Sequence, residues 1–264
     1  MNILDTIIAH KRVEVQKRKE HASNKNIVLE KQPYFERPTI SLREFLLDPA
    51  RTGIIAEYKR KSPSKGVIND RATVKEVAEA YAQFASGISI LTDEEFFGGT
   101  MDDLQNARHN NIPILRKDFM IDEFQIIEAK AIGADVILLI AACLSVQEVQ
   151  QFAKLAKSLG LEVLLEVHNE EELGHVCEAI DFVGVNNRNL KTFEVNIETS
   201  LKLFDKIPAE KLAIAESGIS ETDSIVTLRK AGFKGFLIGE NFMKEADPAI
   251  AFARFVTALN SKLV

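Results

Sequence analysis

The stretch Ile54 to Ser64, IIAEYKRKSPS, places charged side chains at the exit of an otherwise apolar segment. Its first three residues, Ile-Ile-Ala, are typical of a strand covered on both faces. Glu57 and Lys59 follow two residues apart, which projects both side chains onto one side of that strand. A carboxylate beside an ammonium can exchange protons with a substrate. The alternative is an internal ion pair at a strand end, which contributes little net stability when buried.

A polar loop, KSPSKG from Lys61 to Gly66, follows the charged pair. Its proline and glycine oppose regular helix or sheet, whereas its lysines and hydroxyls suit a phosphate or a carboxylate. The order of carboxylate, ammonium and anion-binding loop therefore indicates a site for a small anionic molecule.

Length and composition limit the fold that can carry this site. The 264 residues, with 46% hydrophobic and 27% charged, suit one (β/α)8 barrel of the globular class. The net charge of -6 argues against a nucleic-acid surface. The longest apolar run, Val136 to Leu144, is too short to span a bilayer, and no secretory signal pattern opens the chain, so we expect a cytoplasmic protein. Cys143 and Cys177 form no CxxC pair, and we expect both to be buried packing residues.

The first fifty residues differ in pattern from the rest. An apolar stripe of Ile3, Leu4, Ile7 and Ile8 predicts an amphipathic helix, with most of its basic residues, Lys11 among them, on the solvated side. Interspersed acidic residues favour docking on the protein's own body over a membrane-surface role. A capping-box spacing from Ser41 predicts a short helix that ends near residue 49. We interpret residues 1–50 as a helical extension packed on a catalytic barrel domain of residues 51–264.

From residue 54 onward, apolar β-type runs alternate with helical patterns eight times, and the repeat predicts a closed parallel barrel. The alternative, an open doubly wound sheet, lacks a GxGxxG motif after the first strand. Helix N-caps are predicted at Thr73, Asp122, Ser145 and Ser220, and helix ends at Gly87, Gly133, Gly160 and Gly232. The predicted strands are 54–59, 88–92, 114–117, 136–141, 163–167, 182–186, 212–216 and 236–239.

Polar residues collect at the carboxyl ends of these predicted strands, the end that carries the active site in such barrels. Two glycines after the last two strands, Gly218 and Gly239, would let a phosphate approach backbone amides. His168 lies near Glu170 to Glu172, but no second histidine converges, so no metal site is predicted. We interpret that acidic run as the solvated first turn of a helix. The polar candidates are Glu57, Lys59, Lys117, Glu166, Asn186, Arg188, Glu216 and Ser217.

The chain resembles the indole-3-glycerol phosphate synthases through the segments AEYKRKSPS, ILTDEEFFGG, ILRKDF, LLEVH, VGVNNRNL, AESGI and LIGENFM. The resemblance implies a (β/α)8 barrel that closes the pyrrole ring of 1-(2-carboxyphenylamino)-1-deoxyribulose 5-phosphate with loss of carbon dioxide and water. It also implies catalytic roles for Glu57, Lys59, Lys117, Glu166 and Asn186. The implied substrate-binding residues are Ser62, Phe119, Arg188, Glu216, Ser217, Gly218 and Gly239.

The implied chemistry needs no cofactor, because the cationic imine formed on ring closure is itself the electron sink for decarboxylation. Lys117 suits the general acid of ring closure, while the later proton transfers are left open among Glu57, Lys59 and Glu166. One departure from the family pattern is visible. Glu240 and Asn241 stand where many members have a serine, so phosphate contacts there would come from backbone amides.

Three other functions are compatible with a phosphate-binding barrel. A phosphoribosylanthranilate isomerase would want a cysteine on the first strand, which Ile54 to Lys59 lacks. A Schiff-base aldolase would use Lys117 as nucleophile, and a binding protein would hold a sugar phosphate without turnover. The expected partner is a small sugar-phosphate anthranilate substrate, with no nucleic acid and no membrane, bound by a monomer or weak homo-oligomer.

Overall fold

A computed structural model describes residues 3–189 and 194–263 of the chain. Within these residues eight parallel strands close into a barrel, in which each strand pairs with the next in sequence and the last pairs with the first. The predicted barrel is therefore confirmed. The strands are β1 Ile54–Tyr58, β2 Gly87–Leu91, β3 Ile114–Lys117, β4 Val136–Ile140, β5 Glu162–Val167, β6 Phe182–Asn186, β7 Leu212–Glu216 and β8 Gly235–Ile238.

Helices follow most strands and pack on the outside of the barrel. Thr73, Asp122 and Ser145 each cap a helix N-terminus with the side chain, as predicted. The helices are α1 Ile3–Asn24, α2 Leu42–Leu47, α3 Val74–Phe84, α4 Glu94–Phe97, α5 Met101–Ala107, α6 Glu123–Ala131, α7 Val146–Ser158, α8 Glu198–Phe204, α9 Thr222–Ala231, α10 Glu240–Met243 and α11 Pro248–Leu263.

Three local predictions are wrong. The cap of α9 is Glu221 rather than Ser220, and it makes no side-chain hydrogen bond. Gly87 is the first residue of β2, and α3 already ends at Ala85. No α-helix starts at the acidic run after β5, where a 3₁₀ turn, Glu171–His175, stands instead. Hydrogen bonds of its acidic residues to the end of β5, described below, hold this turn.

The segment before β1 closes the bottom of the barrel. Leu42 and Leu46 of α2 are buried against side chains that fill the barrel interior, such as Ile55 and Leu164. Glu162, at the start of β5, accepts hydrogen bonds from the Ser41 hydroxyl (2.6 Å) and the Leu42 amide (2.6 Å). The carboxylate thus satisfies amide groups at the N-terminus of α2, which would otherwise lack partners. This bond ties the helix to the first residue of a barrel strand.

The opposite end of the barrel is crossed by α1. Lys11 of this helix is fully buried, although the sequence placed it on the solvated side. Its ammonium lies 2.9 Å from both Asp93 and Asp118 and 2.8 Å from Glu14. Three carboxylates outweigh the cost of burying one cation, a reason that helical periodicity cannot reveal.

Two further observations concern the chain as a whole. No helix within the described ranges is long and apolar enough to cross a membrane. Cys143 and Cys177 are free and only half-buried, against the expectation of full burial. The division into an extension of residues 1–50 and a barrel domain of residues 51–264 stays a prediction.

Candidate active site

A cleft of about 1070 Å³ opens at the carboxyl ends of the strands, where polar side chains were predicted to meet. One side is lined by Ile3, Leu4 and Ile7 of α1, so the first helix of the chain forms part of its wall. The structure brings together most of the predicted site residues. Those lining this cleft are Glu57, Lys59, Ser62, Lys117, Phe119, Glu166, Asn186, Arg188, Glu216 and Ser217.

The Glu57 and Lys59 side chains form an ion pair, with Nζ 2.9 Å from Oε1. Glu57 is buried, and its second oxygen accepts a hydrogen bond from the Ser89 hydroxyl on β2 (3.4 Å). The Lys59 side chain retains 16% exposure and lines the cleft. The internal ion pair, one of the two alternatives from the sequence, is therefore present. The pair also faces the cleft, and proton exchange with a substrate, the other alternative, stays a prediction.

Lys117, the last residue of β3, lies between two carboxyl groups from other strands. Its Nζ is 3.1 Å from Glu166 on β5 and 3.6 Å from Glu216 on β7. Burial alone lowers the pKa of Lys117, but the charges of Glu166, Glu216 and Glu57 outweigh it and raise that pKa above its ordinary value. Lys117 is thus held as an ammonium at the centre of the cleft.

The two carboxyl groups beside Lys117 differ in protonation. Burial raises the pKa of both Glu166 and Glu216. For Glu166 this effect is outweighed by the charges of Lys117 and His168 and by a hydrogen bond from Asn186, so its pKa falls well below its usual range. For Glu216, burial and the charge of Glu166 outweigh Lys117 and raise the pKa to about 8. At neutral pH the cleft therefore presents one carboxylate, Glu166, and one protonated carboxyl, Glu216.

Hydrogen bonds fix Glu166 from two sides. Asn186 Nδ2 donates to Oε1 at 3.1 Å, while Lys117 donates to Oε2. His168 Nε2 also lies 3.3 Å from Oε1. The geometry leaves Glu166 little rotational freedom, which suits a proton acceptor that must meet one particular atom.

An apolar wall and a polar end divide the cleft. Phe119 lies beside Phe97, with ring centroids 6.1 Å apart, and continues the apolar surface of α1. Ser62 belongs to a two-residue antiparallel pairing, Lys61–Ser62 with Gly66–Val67, that projects over the cleft mouth. An aromatic substrate would find its complement along this wall.

The polar end is a second, adjoining cavity at the ends of β7 and β8. Ser217 and Gly218 both adopt left-handed backbone conformations there, with φ of 67° and 72°. Such strain in a non-glycine residue is typical of functional sites. Gly239 completes the lining, and cationic side chains face the same space. These cations are Lys59, Lys65, Arg188 and Lys244.

Glu240 lies among these cations, 3.8 Å from Lys65 and 3.9 Å from Arg188. Asn241 donates to the Ser220 carbonyl (3.2 Å). The segment VGVNNRNL is described only as far as Asn189, so Leu190 of that motif lies outside the described residues.

The sequence did not indicate the roles of several residues in and around the site. Asn187 is buried and donates to the Ser217 carbonyl (3.1 Å), which supports the strained turn. His168 was considered only as a metal ligand, although its spacing of two residues from Glu166 already placed both on one strand face. Among residues 3–189 and 194–263, no group of three His, Cys, Asp or Glu side chains is arranged to hold a metal ion. The burial of Lys11 gave no signal, because two of its partners, Asp93 and Asp118, are remote in sequence.

A closed parallel barrel with ionisable groups and a glycine-rich cavity at its carboxyl end defines an enzyme of the (β/α)8 class that handles small phosphorylated substrates. Comparison with known proteins narrows the class. The family model of indole-3-glycerol phosphate synthase matches residues 4–255, and the chain belongs to that family, which makes it a carboxy-lyase of tryptophan biosynthesis. The resemblance found in the sequence is thereby confirmed.

Curated relatives agree with this assignment, and a solved structure shares the fold. The chain is 45% identical over 260 residues to the indole-3-glycerol phosphate synthase of Bacteroides thetaiotaomicron, covering 98% of this chain and 99% of that one. It is 41% identical to that of Verminephrobacter eiseniae, covering 96% and 98%. A tryptophan synthase α-subunit from Pyrococcus furiosus superposes with a TM-score of 0.62 at 16% identity, covering 80% of this chain and 99% of that one. This last likeness shows the fold alone.

Proposed function

We propose that the cleft converts 1-(2-carboxyphenylamino)-1-deoxyribulose 5-phosphate to indole-3-glycerol phosphate, with the residues named from the sequence in their implied roles. The observation that supports this best is the Lys117 ammonium, held between Glu166 and Glu216 with an apolar wall on one side and a cationic, glycine-lined cavity on the other. The two ends of the cleft match the two ends of that substrate.

Binding orients the substrate along the cleft. The anthranilate ring packs against Phe97 and Phe119, and the phosphate occupies the cavity between Gly218 and Gly239. Lys59 and Arg188 line both cavities, so either can neutralise an anion of the substrate. Asn186 holds Glu166 and does not need to contact the phosphate.

Ring closure uses Lys117 as general acid. The ring carbon that bears the carboxylate attacks the ketone carbon, and Lys117 delivers its proton to the ketone oxygen, which becomes a hydroxyl group. The nitrogen lone pair becomes the imine π bond. When the carbon–carboxylate bond breaks, its electrons return through that imine to nitrogen, and carbon dioxide leaves.

Dehydration requires an acid for the departing hydroxyl and a base for a proton on the ring carbon next to nitrogen. We assign the acid to Lys59, whose ammonium is poised by Glu57, and the base to Glu166. Once Lys117 has lost its proton, Glu166 loses its nearest neutralising cation, so its pKa rises and it becomes a stronger base. The proton transfer of the first step thus prepares the base for the last.

A continuous assay for the indole chromophore tests the proposal. Lys117→Met and Glu166→Gln are each expected to reduce kcat by about 10²–10⁴-fold with unchanged circular dichroism, since each removes one acid–base group. Lys17→Met, on the exposed face of α1, serves as the control and is expected to keep full activity.

Two outcomes would contradict the proposal. Tight phosphate-ligand binding by wild type without turnover would favour a binding protein, and a borohydride-trapped keto adduct on Lys117 would favour an aldolase.

We also propose that the protein works in the cytoplasm as a monomer or weak homo-oligomer without nucleic-acid or membrane partners. The acidic net charge of -6 supports the absence of a nucleic-acid partner. Sedimentation equilibrium at micromolar concentration would test the assembly state, and a stable tetramer would refute it.

A further inference from the structure

Behind Glu166 lie two ionisable side chains, His168 and Glu172, that the mechanism above does not use. His168 lies between two carboxylates, with Nε2 3.3 Å from Glu166 Oε1 and Nδ1 3.1 Å from Glu172 Oε2. The His168 side chain is only 10% exposed. Nδ1 hydrogen-bonds Glu172, and Nε2 lies at ion-pair distance from Glu166 without a hydrogen bond, so a carboxylate on each side of the ring favours the imidazolium over the neutral form.

The 3₁₀ turn after β5 holds the outer carboxylate of this chain in place. Glu172 Oε2 accepts from the His168 amide (2.8 Å), and Oε1 accepts from Asn169 Nδ2 (2.9 Å). The Glu172 amide in turn donates to Asn169 Oδ1 (3.0 Å). The turn that replaces the expected helix thus fixes Glu172 beneath the histidine ring, so the ring is oriented before any substrate arrives.

The charged and titratable groups in this network come from the histidine's own segment and from neighbouring strands, while β6 contributes the neutral Asn186. Its own segment supplies Glu166 and Glu172, β3 supplies Lys117 and β7 supplies Glu216, all within the network described above. Cys143, after β4, is a neutral thiol, because burial and the two nearby carboxylates raise its pKa. Burial lowers the pKa of His168, but both carboxylates outweigh it and raise that pKa to about 10.

We propose that His168 is a positioning residue that, as a permanent cation, keeps Glu166 ionised and fixed so that the shared proton resides on Glu216 instead. Glu166 and Glu216 both approach Lys117, and within residues 3–189 and 194–263 a second cation, His168, lies beside Glu166 but not beside Glu216. That asymmetry decides which carboxyl is the base. The proposal rests on the proposed function of Glu166 as base.

The pH profile of kcat provides the first test. At low pH the profile falls where Glu166 takes up a proton, and we call this part the acid limb. His168→Gln removes the cation and is expected to move the acid limb to higher pH by about one pH unit. It is also expected to lower kcat by about 10-fold, with KM within 2-fold of wild type. Glu172→Gln is expected to shift the limb in the same direction by less. An acid limb that stays in place in His168→Gln would overturn the proposal.

His175 offers a matched control on the same turn, since its ring hydrogen-bonds the backbone carbonyls of Glu172 (3.0 Å) and Leu144 (3.1 Å) rather than carboxylates. His175→Gln is expected to lower thermal stability without moving the acid limb. An equal movement of the limb in both variants would mean that His168 acts only through the fold of the turn, and would overturn the proposal.

A spectroscopic test needs no turnover and therefore separates this proposal from the proposed function. The chain has 5 histidines, and the ¹⁵N signals lost in His168→Gln identify this one. In wild type at pH 8 the ring is expected to show the shifts of an imidazolium. A neutral ring at pH 7 would overturn the proposal whether or not the protein is active.

Discussion

Replacement of Gly239 by alanine should disable the cleft without unfolding the protein. A methyl group at Gly239 would lie 2.6 Å from Glu57 Oε1, 2.9 Å from its Cβ and 3.0 Å from its Cγ. The contact with Cβ is the decisive one, because Cβ is fixed to the β1 backbone and cannot rotate away. The Glu57 side chain must therefore move, together with the strand end or the start of α10.

The size of that movement follows from the distances. Oε1 must retreat by about 0.8 Å to reach an ordinary contact of 3.4 Å, and this carries it out of its 2.9 Å pairing with Lys59. A displacement near 1 Å in catalytic geometry costs about 10²-fold in rate. Overpacking of this kind costs about 1–3 kcal/mol of stability. We therefore expect kcat of Gly239→Ala to fall by about 10²-fold while the fold persists.

Steady-state kinetics by indole formation, together with urea unfolding, would measure both effects. Gly174→Ala is the matched control, since a methyl group there meets nothing within 4 Å, and its kcat should equal that of wild type. A Gly239→Ala enzyme with kcat within 2-fold of wild type would refute the reasoning. It would mean that Glu57 needs no fixed position, and that its pairing with Lys59 is structural only.

Three further predictions concern the buried charges and the loop over the cleft. Lys11→Met leaves buried Asp93 without its ammonium and removes one of the two cations beside Asp118, and should lower the free energy of unfolding by about 3–5 kcal/mol, whereas exposed Lys17→Met should lower it hardly at all. Because the folded pKa of Glu216 is raised to about 8, its stabilising contribution is full below an unfolded pKa of about 4.3 and declines as pH rises towards 8. The free energy of unfolding, measured with urea, should therefore decrease less from pH 5 to pH 8 in Glu216→Gln than in wild type. An equal decrease in both proteins would contradict the raised pKa of Glu216. Trypsin should cleave after exposed Lys65 in the free enzyme and more slowly when the substrate phosphate is bound, so equal cleavage rates would exclude closure of this loop.

The barrel itself could be predicted from the sequence, because its signals are local. Apolar runs, helix caps such as Thr73 and glycines at helix ends recur at a spacing that only one common architecture satisfies. The positions of Lys117 and Glu166 at strand ends follow from that architecture alone. Their mutual distance of 3.1 Å does not, since it depends on how far the barrel twists and which rotamers fit.

Two of the wrong predictions, those for Lys11 and Glu172, have one physical cause in common. Lys11 was assigned to solvent and Glu172 to a solvated helix turn, since charged residues are most often exposed. In the fold each meets groups of opposite charge, Asp118 and His168 respectively. Pairing with a group of opposite charge, remote in sequence for Lys11 and four residues away for Glu172, overrides the preference of a single residue, and hydrophobic periodicity contains no record of it.

The buried position of Lys11 has a consequence for biosynthesis of the chain. The helix that closes the mouth of the cleft is synthesised well before Asp93 and Asp118, the two aspartates that neutralise its lysine. At about 5–20 residues per second, α1 leaves the ribosome several seconds before either partner. During that interval its apolar stripe has no barrel to cover it and is a natural substrate for chaperones. We expect α1 to dock only after these partners have emerged, so that a nascent chain has no complete active site until most of its barrel has been translated.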